Sequence, residues 1–357
     1  MDNAVNPGIM VRYRDWLPVT AKTRIITLHE GNTPLILLTN LIAILPYKIN
    51  WYVKYEGINP SGSFKDRGIT LAVSKALEAG QRAIICASTG NTSASAAAYA
   101  AKAGIKCFVI LPAGQIATGK LAQAIVHGAC ILPIHGNYDL SLQLVKELAE
   151  QLPVTIVNSI NPYRVFGQKT AAFECVDVLG EAPDYHCLPV GNGANIYSYW
   201  LGYQEYQRAG KCSMVPKMLG VQASGAAPLV NGGIVTNPET VATAIKIGNP
   251  QFRVQAQQVQ RESGGKFAAV TDAEILSAQQ LLATKEGIFA EPASAASIAG
   301  VLKWVASGEI AAGSTVICTL TGHGLKDPDS VFKQQKLQLP EYAPDLAQLA
   351  AEINRNL

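Results

Sequence analysis

The chain has 357 residues, 48% of them hydrophobic and 15% charged, with a formal net charge of +3. That length suits one large catalytic unit or two closely packed subdomains with a substantial core, and the dispersed basic residues give no electrostatic footing for nucleic acid or membrane binding. No N-terminal signal pattern and no run near the ~20 apolar residues of a spanning helix is present, and the seven scattered cysteines form no C-x-x-C pair, a usage expected of buried free thiols in a reducing cytoplasm.

In chain order, residues 50–57 read as a strand that ends in GINPSGSFKDRG (57–68). Pro60 and Gly62 force a turn there, Ser63 is the expected N-cap, and a helix over 64–80 carries Lys65 in its first turn. A lysine at the positive end of a helix has its pKa lowered, which suits a nucleophile or base; the plain alternative is a surface lysine at a helix start. A strand at 83–88 leads through ASTGNTSAS (87–95) into a helix over 91–104. Hydroxyls and amides gathered at that helix start suit a carboxylate or phosphate, although a well-capped helix shows the same pattern.

A strand at 106–112, a helix at 118–128 and a strand at 130–134 follow. His127, Cys130 and His135 fall at this helix–strand junction, where their side chains need not converge and no fourth ligand is evident, so no metal is expected. After a helix at 139–151 and strands at 153–157 and 186–190 comes PVGNGANI (189–196), opening a helix near Asn195. Such a turn can cradle a phosphate. Ile196 breaks the dinucleotide fingerprint and no G-K-[ST] follows.

Strands in KMLGVQA and STVICTL, helices over 272–284 and 292–306, and a loop-rich excursion over 248–270 complete the pattern. GIFAEPASAAS (287–297) starts its helix at Pro292, just after Glu291; CTLTGHGLKD (318–327) bears Thr321 and His323, the latter a general base or a satisfied loop histidine. No G-x-S-x-G elbow is present. Strand–helix alternation of this kind predicts an α/β fold, two subdomains each with a helix-covered, mostly parallel twisted sheet, and a ligand cleft between them. The expected division is a smaller subdomain at about 58–157 within a larger one of about 10–57 and 158–330, with 331–357 as a tail.

Together PSGSFKDRG, ASTGNTSASAAAYAAKAG, VNSINPYRVFGQKT, GIFAEPASAAS and LTGHGLKDP resemble the threonine synthases, among the fold type II pyridoxal-phosphate enzymes related to the tryptophan synthase β chain. The resemblance runs from HEGNTPL (29–35) to about residue 330. SFKDR is shared with threonine dehydratases and cysteine synthases, whereas STGNTSASAAAYA and TGHGLKDP stand nearer to threonine synthases. The resemblance implies pyridoxal 5'-phosphate held by Lys65 as a Schiff base, with Lys65 also moving protons at the substrate carbons. Asn91 would bond the phenolic oxygen of the cofactor; Gly191, Asn192, Gly193, Ala194 and Asn195 would hold its phosphate; and the Thr321 hydroxyl would donate to its ring nitrogen.

For substrate it implies Ser88, Thr92, Asn158, Ser159 and Arg164, whose guanidinium fork matches a phosphate; the plain alternative for Arg164 is a salt bridge. One departure is G-N-G-A-N where the family has G-N-A-G-N, which disfavours Ala194 if that position needs a positive φ. The implied reaction turns O-phospho-L-homoserine and water into L-threonine and phosphate by β,γ-replacement. The implied form is the short, S-adenosylmethionine-independent one, a homodimer. A threonine or serine dehydratase of the same fold would share Lys65 but lack the second phosphate site; a non-catalytic pyridoxal-phosphate binder is the remaining alternative.

Overall fold

The computed structural model describes residues 5–113, 118–330 and 340–356. Two sheets organise it. The larger has six strands in the order β1-β2-β10-β7-β8-β9: β1 (Leu35–Leu37), β2 (Asn50–Tyr55), β7 (Tyr185–Pro189), β8 (Lys217–Ala223), β9 (Lys266–Val270) and β10 (Thr315–Leu320). Only β1 runs antiparallel to its neighbour. The smaller sheet, in the order β5-β4-β3-β6, is all parallel and comprises β3 (Ala83–Ala87), β4 (Lys106–Pro112), β5 (Cys130–Ile134) and the two-residue β6 (Thr155–Ile156).

Alternation along the strands divides each sheet's side chains between two cores. On β10, Val316, Cys318 and Leu320 join Trp51 and Val53 on one face, whereas Ile317 joins Leu188 on the other. In the small sheet Ile84, Cys86 and Val109 face one core, and Ile85, Ala87 and Ile110 face the other.

The helices are α1 (Ile9–Arg12), α2 (Thr39–Ile42), α3 (Lys65–Glu78), α4 (Asn91–Ala103), α5 (Thr118–Val126), α6 (Tyr138–Gln151), α7 (Pro162–Leu179), α8 (Ala194–Arg208), α9 (Pro228–Asn231), α10 (Arg253–Ser263), α11 (Asp272–Glu286), α12 (Pro292–Ala306) and α13 (Leu346–Asn356). Chain contacts divide the protein into Met1–Asp327 and Pro328–Leu357; the second unit carries α13, with Leu346 and Ile353 exposed. No helix among the described residues is long and apolar enough to cross a membrane.

Three expectations need correction. Residues 253–263 form a helix and 266–270 an edge strand, not a loop-rich excursion. In RVQAQQVQRES only Ala256 and Val259 are buried, and so polar a sequence reads as loop. Ser63 does not cap α3: Phe64 is the N-cap, no side chain bonds there, and the buried Ser63 hydroxyl has no partner. Finally, the strand at 153–157 shrinks to β6, because only Thr155 and Ile156 pair with β3.

Candidate active site

A cavity of about 870 Å³ opens beyond the carboxyl ends of β3, β7 and β10. All the candidate residues line it: Lys65, Ser88, Asn91, Thr92, Asn158, Ser159, Arg164, Gly191, Asn192, Gly193, Ala194, Asn195 and Thr321. They lie up to 256 positions apart in sequence, and the turns after parallel strands bring them together.

The turn before α3 is tied down on several sides. The Asp66 carboxylate accepts from the Ser61 amide at 2.7 Å, the Ser61 hydroxyl at 2.5 Å and the Ser95 hydroxyl at 2.5 Å. The Phe64 amide donates to the Thr321 carbonyl at 3.0 Å and the His323 amide to the Gly62 carbonyl at 3.0 Å. Lys65 therefore enters the cavity from a fixed backbone. Its side chain is partly exposed there, and no described residue hydrogen-bonds or ion-pairs with Nζ, which lies 3.7 Å from the Phe64 ring centroid. Burial, reinforced by the Arg164 charge and opposed by Glu291, pushes the amine down to about 7.

Helix α3 crosses α7 at glycines. A Cβ at Gly167 would strike the Arg67 carbonyl, and one at Gly68 would lie 2.8 Å from the Arg164 carbonyl oxygen. Asn161 caps α7 by accepting from the Tyr163 amide at 3.0 Å, and Pro162 opens it, placing Arg164 in the first turn. Arg164 is 3% exposed, donates from Nη1 to the Val157 carbonyl at 3.2 Å and leaves Nε without a partner. No described carboxylate pairs with it, so the ordinary salt bridge is set aside. Burial lowers its pKa to about 10, which leaves it cationic. An unneutralised guanidinium in a cavity wall is a site for an anion.

Asn158 is otherwise engaged: its amide accepts from and donates to the Ala87 backbone, at 3.0 and 2.9 Å, and so holds the end of β3. Ser88 accepts from the Gly90 and Ser93 amides at the start of α4.

In the loop between β7 and α8 the positive φ falls on Gly193 (85°), and Ala194 is the first helical residue. The expected strain at Ala194 is therefore absent. The first-turn amides of α8 lack intrahelical partners, and both polar atoms of the buried Asn195 side chain are unpartnered. Asn192 anchors the loop to the segment before α10, accepting from the Gln251 amide at 3.1 Å and the Phe252 amide at 3.0 Å. Residues 234–239 and 243–249, within the stretch of about 225–265 that is hardest to interpret from sequence, form part of the cavity wall.

Across the cavity, the Thr321 hydroxyl lies 3.0 Å from Ser294 Oγ and 3.4 Å from Glu291 Oε1, and Glu291 also accepts from Asn91. A free amine, an orphaned asparagine at a helix N-terminus, and a donor amide and a hydroxyl that meet at one buried carboxylate make a set that fits pyridoxal phosphate.

Sequence reasoning assigned no role to Glu291 or to Gln168, which lines the cavity one turn beyond Arg164 with a buried, unpartnered Oε1. The i, i+4 spacing from Arg164 was the available signal. His323 lies outside the lining residues and caps a short turn, accepting from the Leu325 amide at 3.1 Å. Among the described residues no group of three or more His, Cys, Asp or Glu is placed to hold a metal, His127, Cys130 and His135 included. All seven cysteines are free, and Cys130 is exposed.

Comparison with known proteins agrees with this chemistry. Residues 26–322 match the family described as pyridoxal-phosphate dependent enzymes. The chain is 57% identical over 339 residues to a threonine synthase of Mycobacterium tuberculosis (strain H37Rv), covering 95% of this chain and 92% of the relative. It is 54% identical over 340 residues to one from Synechocystis, covering 95% and 88%. Among solved structures, maize serine racemase shares the fold at a TM-score of 0.71 and 19% identity, over 91% of this chain and 92% of that one.

Proposed function

Because the chain belongs to the threonine synthase family of pyridoxal-phosphate dependent enzymes, we propose that the cavity holds the cofactor and O-phospho-L-homoserine side by side, with Lys65 and Arg164 as their main anchors. The enzyme converts O-phospho-L-homoserine and water to L-threonine and phosphate. The observation that carries the placement of substrate is Arg164, a buried cation without a carboxylate partner beside the free amine.

The amides of Gly191 to Asn195 and the α8 N-terminus would bind the cofactor phosphate; Asn91 would donate to its phenolic oxygen and Thr321 to its ring nitrogen. The bound cofactor supplies an electron-withdrawing ring that stabilises negative charge at the substrate α-carbon. Lys65, with an amine near neutrality in pKa, takes and returns protons at the α- and β-carbons. Arg164, with Ser88, Thr92 and Ser159, holds the γ-phosphate as it leaves. Asn158 shapes the end of β3 through its two bonds to Ala87 and lines the substrate side of the cavity.

The reading extends to a homodimer in the cytoplasm, and to a smaller subdomain, about 58–157, set within the larger one; the four strands of the small sheet lie inside that span. A dehydratase would need no anchor for a substrate phosphate. Replacing Arg164 by Gln tests the assignment: we expect KM for O-phosphohomoserine to rise at least ~10-fold, as loss of a charge-assisted contact implies, with the cofactor still bound. An unchanged KM removes Arg164 from the substrate site.

A further inference from the structure

Glu291 stands where the elements carrying the cofactor residues meet. It is the N-cap of α12 and is 4% exposed. Both of its carboxylate oxygens lie 3.1 Å from Asn91 Nδ2, at the start of α4. Thr321 Oγ1, just past β10, is 3.4 Å from Oε1 and 3.0 Å from Ser294 Oγ. The backbone completes the cluster: the Glu291 amide donates to the Gly322 carbonyl at 3.1 Å, and the Gly322 amide donates to Ser294 Oγ at 3.0 Å. A Cβ at Gly322 would come within 2.5 Å of the Glu291 carboxylate, so the glycine there leaves the carboxylate its place. Among the described residues no cation forms an ion pair with Glu291; burial raises its pKa, against the opposing effects of Asn91, Lys65 and Lys326.

A carboxylate offers only acceptors. The Asn91 amide can therefore meet it only through its NH2 group, with Oδ1 turned away. One N–H of Asn91 is held by the two oxygens of Glu291, and the other is left as a donor. Without that neighbour the amide could turn over and present its carbonyl to the cofactor's phenolic oxygen, exchanging an attraction for a repulsion. The 3.4 Å contact from Thr321 is long and is given up easily when the hydroxyl turns elsewhere.

We infer that Glu291 is a positioning residue for the cofactor, acting through Asn91 by fixing the donor face of its amide toward the cavity. The inference rests on the functional reading above, and Glu291 itself needs no contact with substrate.

The test is a double-mutant cycle on cofactor affinity, measured by titrating cofactor-free protein with pyridoxal phosphate and following the absorption band of the lysine-bound form. Glu291→Ala should weaken cofactor affinity about 10-fold, the size expected for a lost hydrogen bond to a charged group, and displace the band. KM for O-phosphohomoserine should stay within about 3-fold and kcat should fall, because the substrate site is untouched. Asn91→Ala added to Glu291→Ala should cost little more, since both act on the same bond. Glu291→Gln keeps an acceptor for Asn91 but adds an NH2 group that can bond Asn91 Oδ1 instead, so it should recover only part of the affinity.

Should Glu291→Ala fail to fold, Glu291→Met fills the volume without an acceptor and carries the same comparison. Strictly additive losses with Asn91→Ala, or an unaltered affinity and band, overturn the inference while leaving an active wild type and the functional reading intact. Wild-type protein that binds no pyridoxal phosphate overturns both.

Discussion

Lys65 and Arg164 bring two basic groups to one cavity, and no described carboxylate forms an ion pair with either. Arg67, two residues beyond Lys65, shows the contrast: it is buried as Arg164 is, but Glu56 and Glu174 neutralise it at 2.7 Å. A buried cation is stabilised by such partners; leaving Arg164 without one is costly unless a ligand supplies the charge. The Lys65 amine, pushed down to about 7 by burial, should in the cofactor-free protein react with an amine-selective reagent with a midpoint near pH 7. The difference in labelling between wild type and Lys65→Ala isolates it; a midpoint near that of an ordinary lysine, ~10.4, contradicts the electrostatics described. Both residues were legible in the sequence, Lys65 from its place in a helical first turn and Arg164 through resemblance. The role of Glu291 was not, because its significance lies in Asn91, 200 positions away.

The elements that position these side chains depend on close approach. Helices α3 and α7 meet through Gly68 and Gly167, where neither can accept a Cβ without displacing the opposite backbone. Gly167→Ala should force the helices apart, cost about 1–3 kcal/mol by overpacking and lower kcat/KM, because one helix carries Lys65 and the other Arg164. Thermal unfolding and steady-state kinetics on one preparation check it; a variant equal to wild type in both contradicts the crossing. Gly193→Ala strains a positive φ and brings a Cβ to 2.9 Å from the Phe252 carbonyl, so cofactor affinity should fall in a direct titration.

Helix and strand identities in βαβ order were readable from apolar runs and their punctuation by glycine. Helix α10 was not, since Ala256 and Val259 are its only buried side chains. Its sequence is almost wholly polar, and the Gln-rich surface carries only helix propensity, a weak prior. The wall at 234–249 lies in the stretch hardest to interpret from sequence, about 225–265: the Val235 amide donates to the Gly248 carbonyl at 3.0 Å and a Cβ at Gly248 would strike the Val235 carbonyl, but a lone glycine does not reveal its partner.

At the scale of the whole molecule, a buried ionic cluster ties the large sheet to the helices behind the site. Lys54 of β2 and Arg67 of α3 both pair with Glu174 of α7, at 2.6 and 2.7 Å, and Arg67 pairs again with Glu56. Burial alone would raise the Glu174 pKa, but the charges of Arg67 and Lys54 hold it far below the usual carboxylate range. The unfolded chain therefore takes up this proton more readily than the folded one. The contribution is complete above the ordinary carboxylate pKa, ~4.3, and is lost as pH falls below it. Glu174→Gln should destabilise by about 3–5 kcal/mol at neutral pH, as for a buried cation stripped of its partner, and should flatten the acid limb of the stability profile in denaturant unfolding.

Parallel sheets covered on both faces were foreseeable from near-continuous apolar strands such as TVICTL. That the motif-bearing turns share one cavity was foreseeable only because ligands gather beyond the carboxyl ends of such strands. The most direct test of the central claim is to supply O-phosphohomoserine to the purified, pyridoxal-phosphate-loaded protein and quantify threonine and inorganic phosphate together. Equal amounts of the two, with no product from the Lys65→Ala variant, are the result expected here. Oxoacid formed from serine or threonine, with no phosphate released from O-phosphohomoserine, would contradict it.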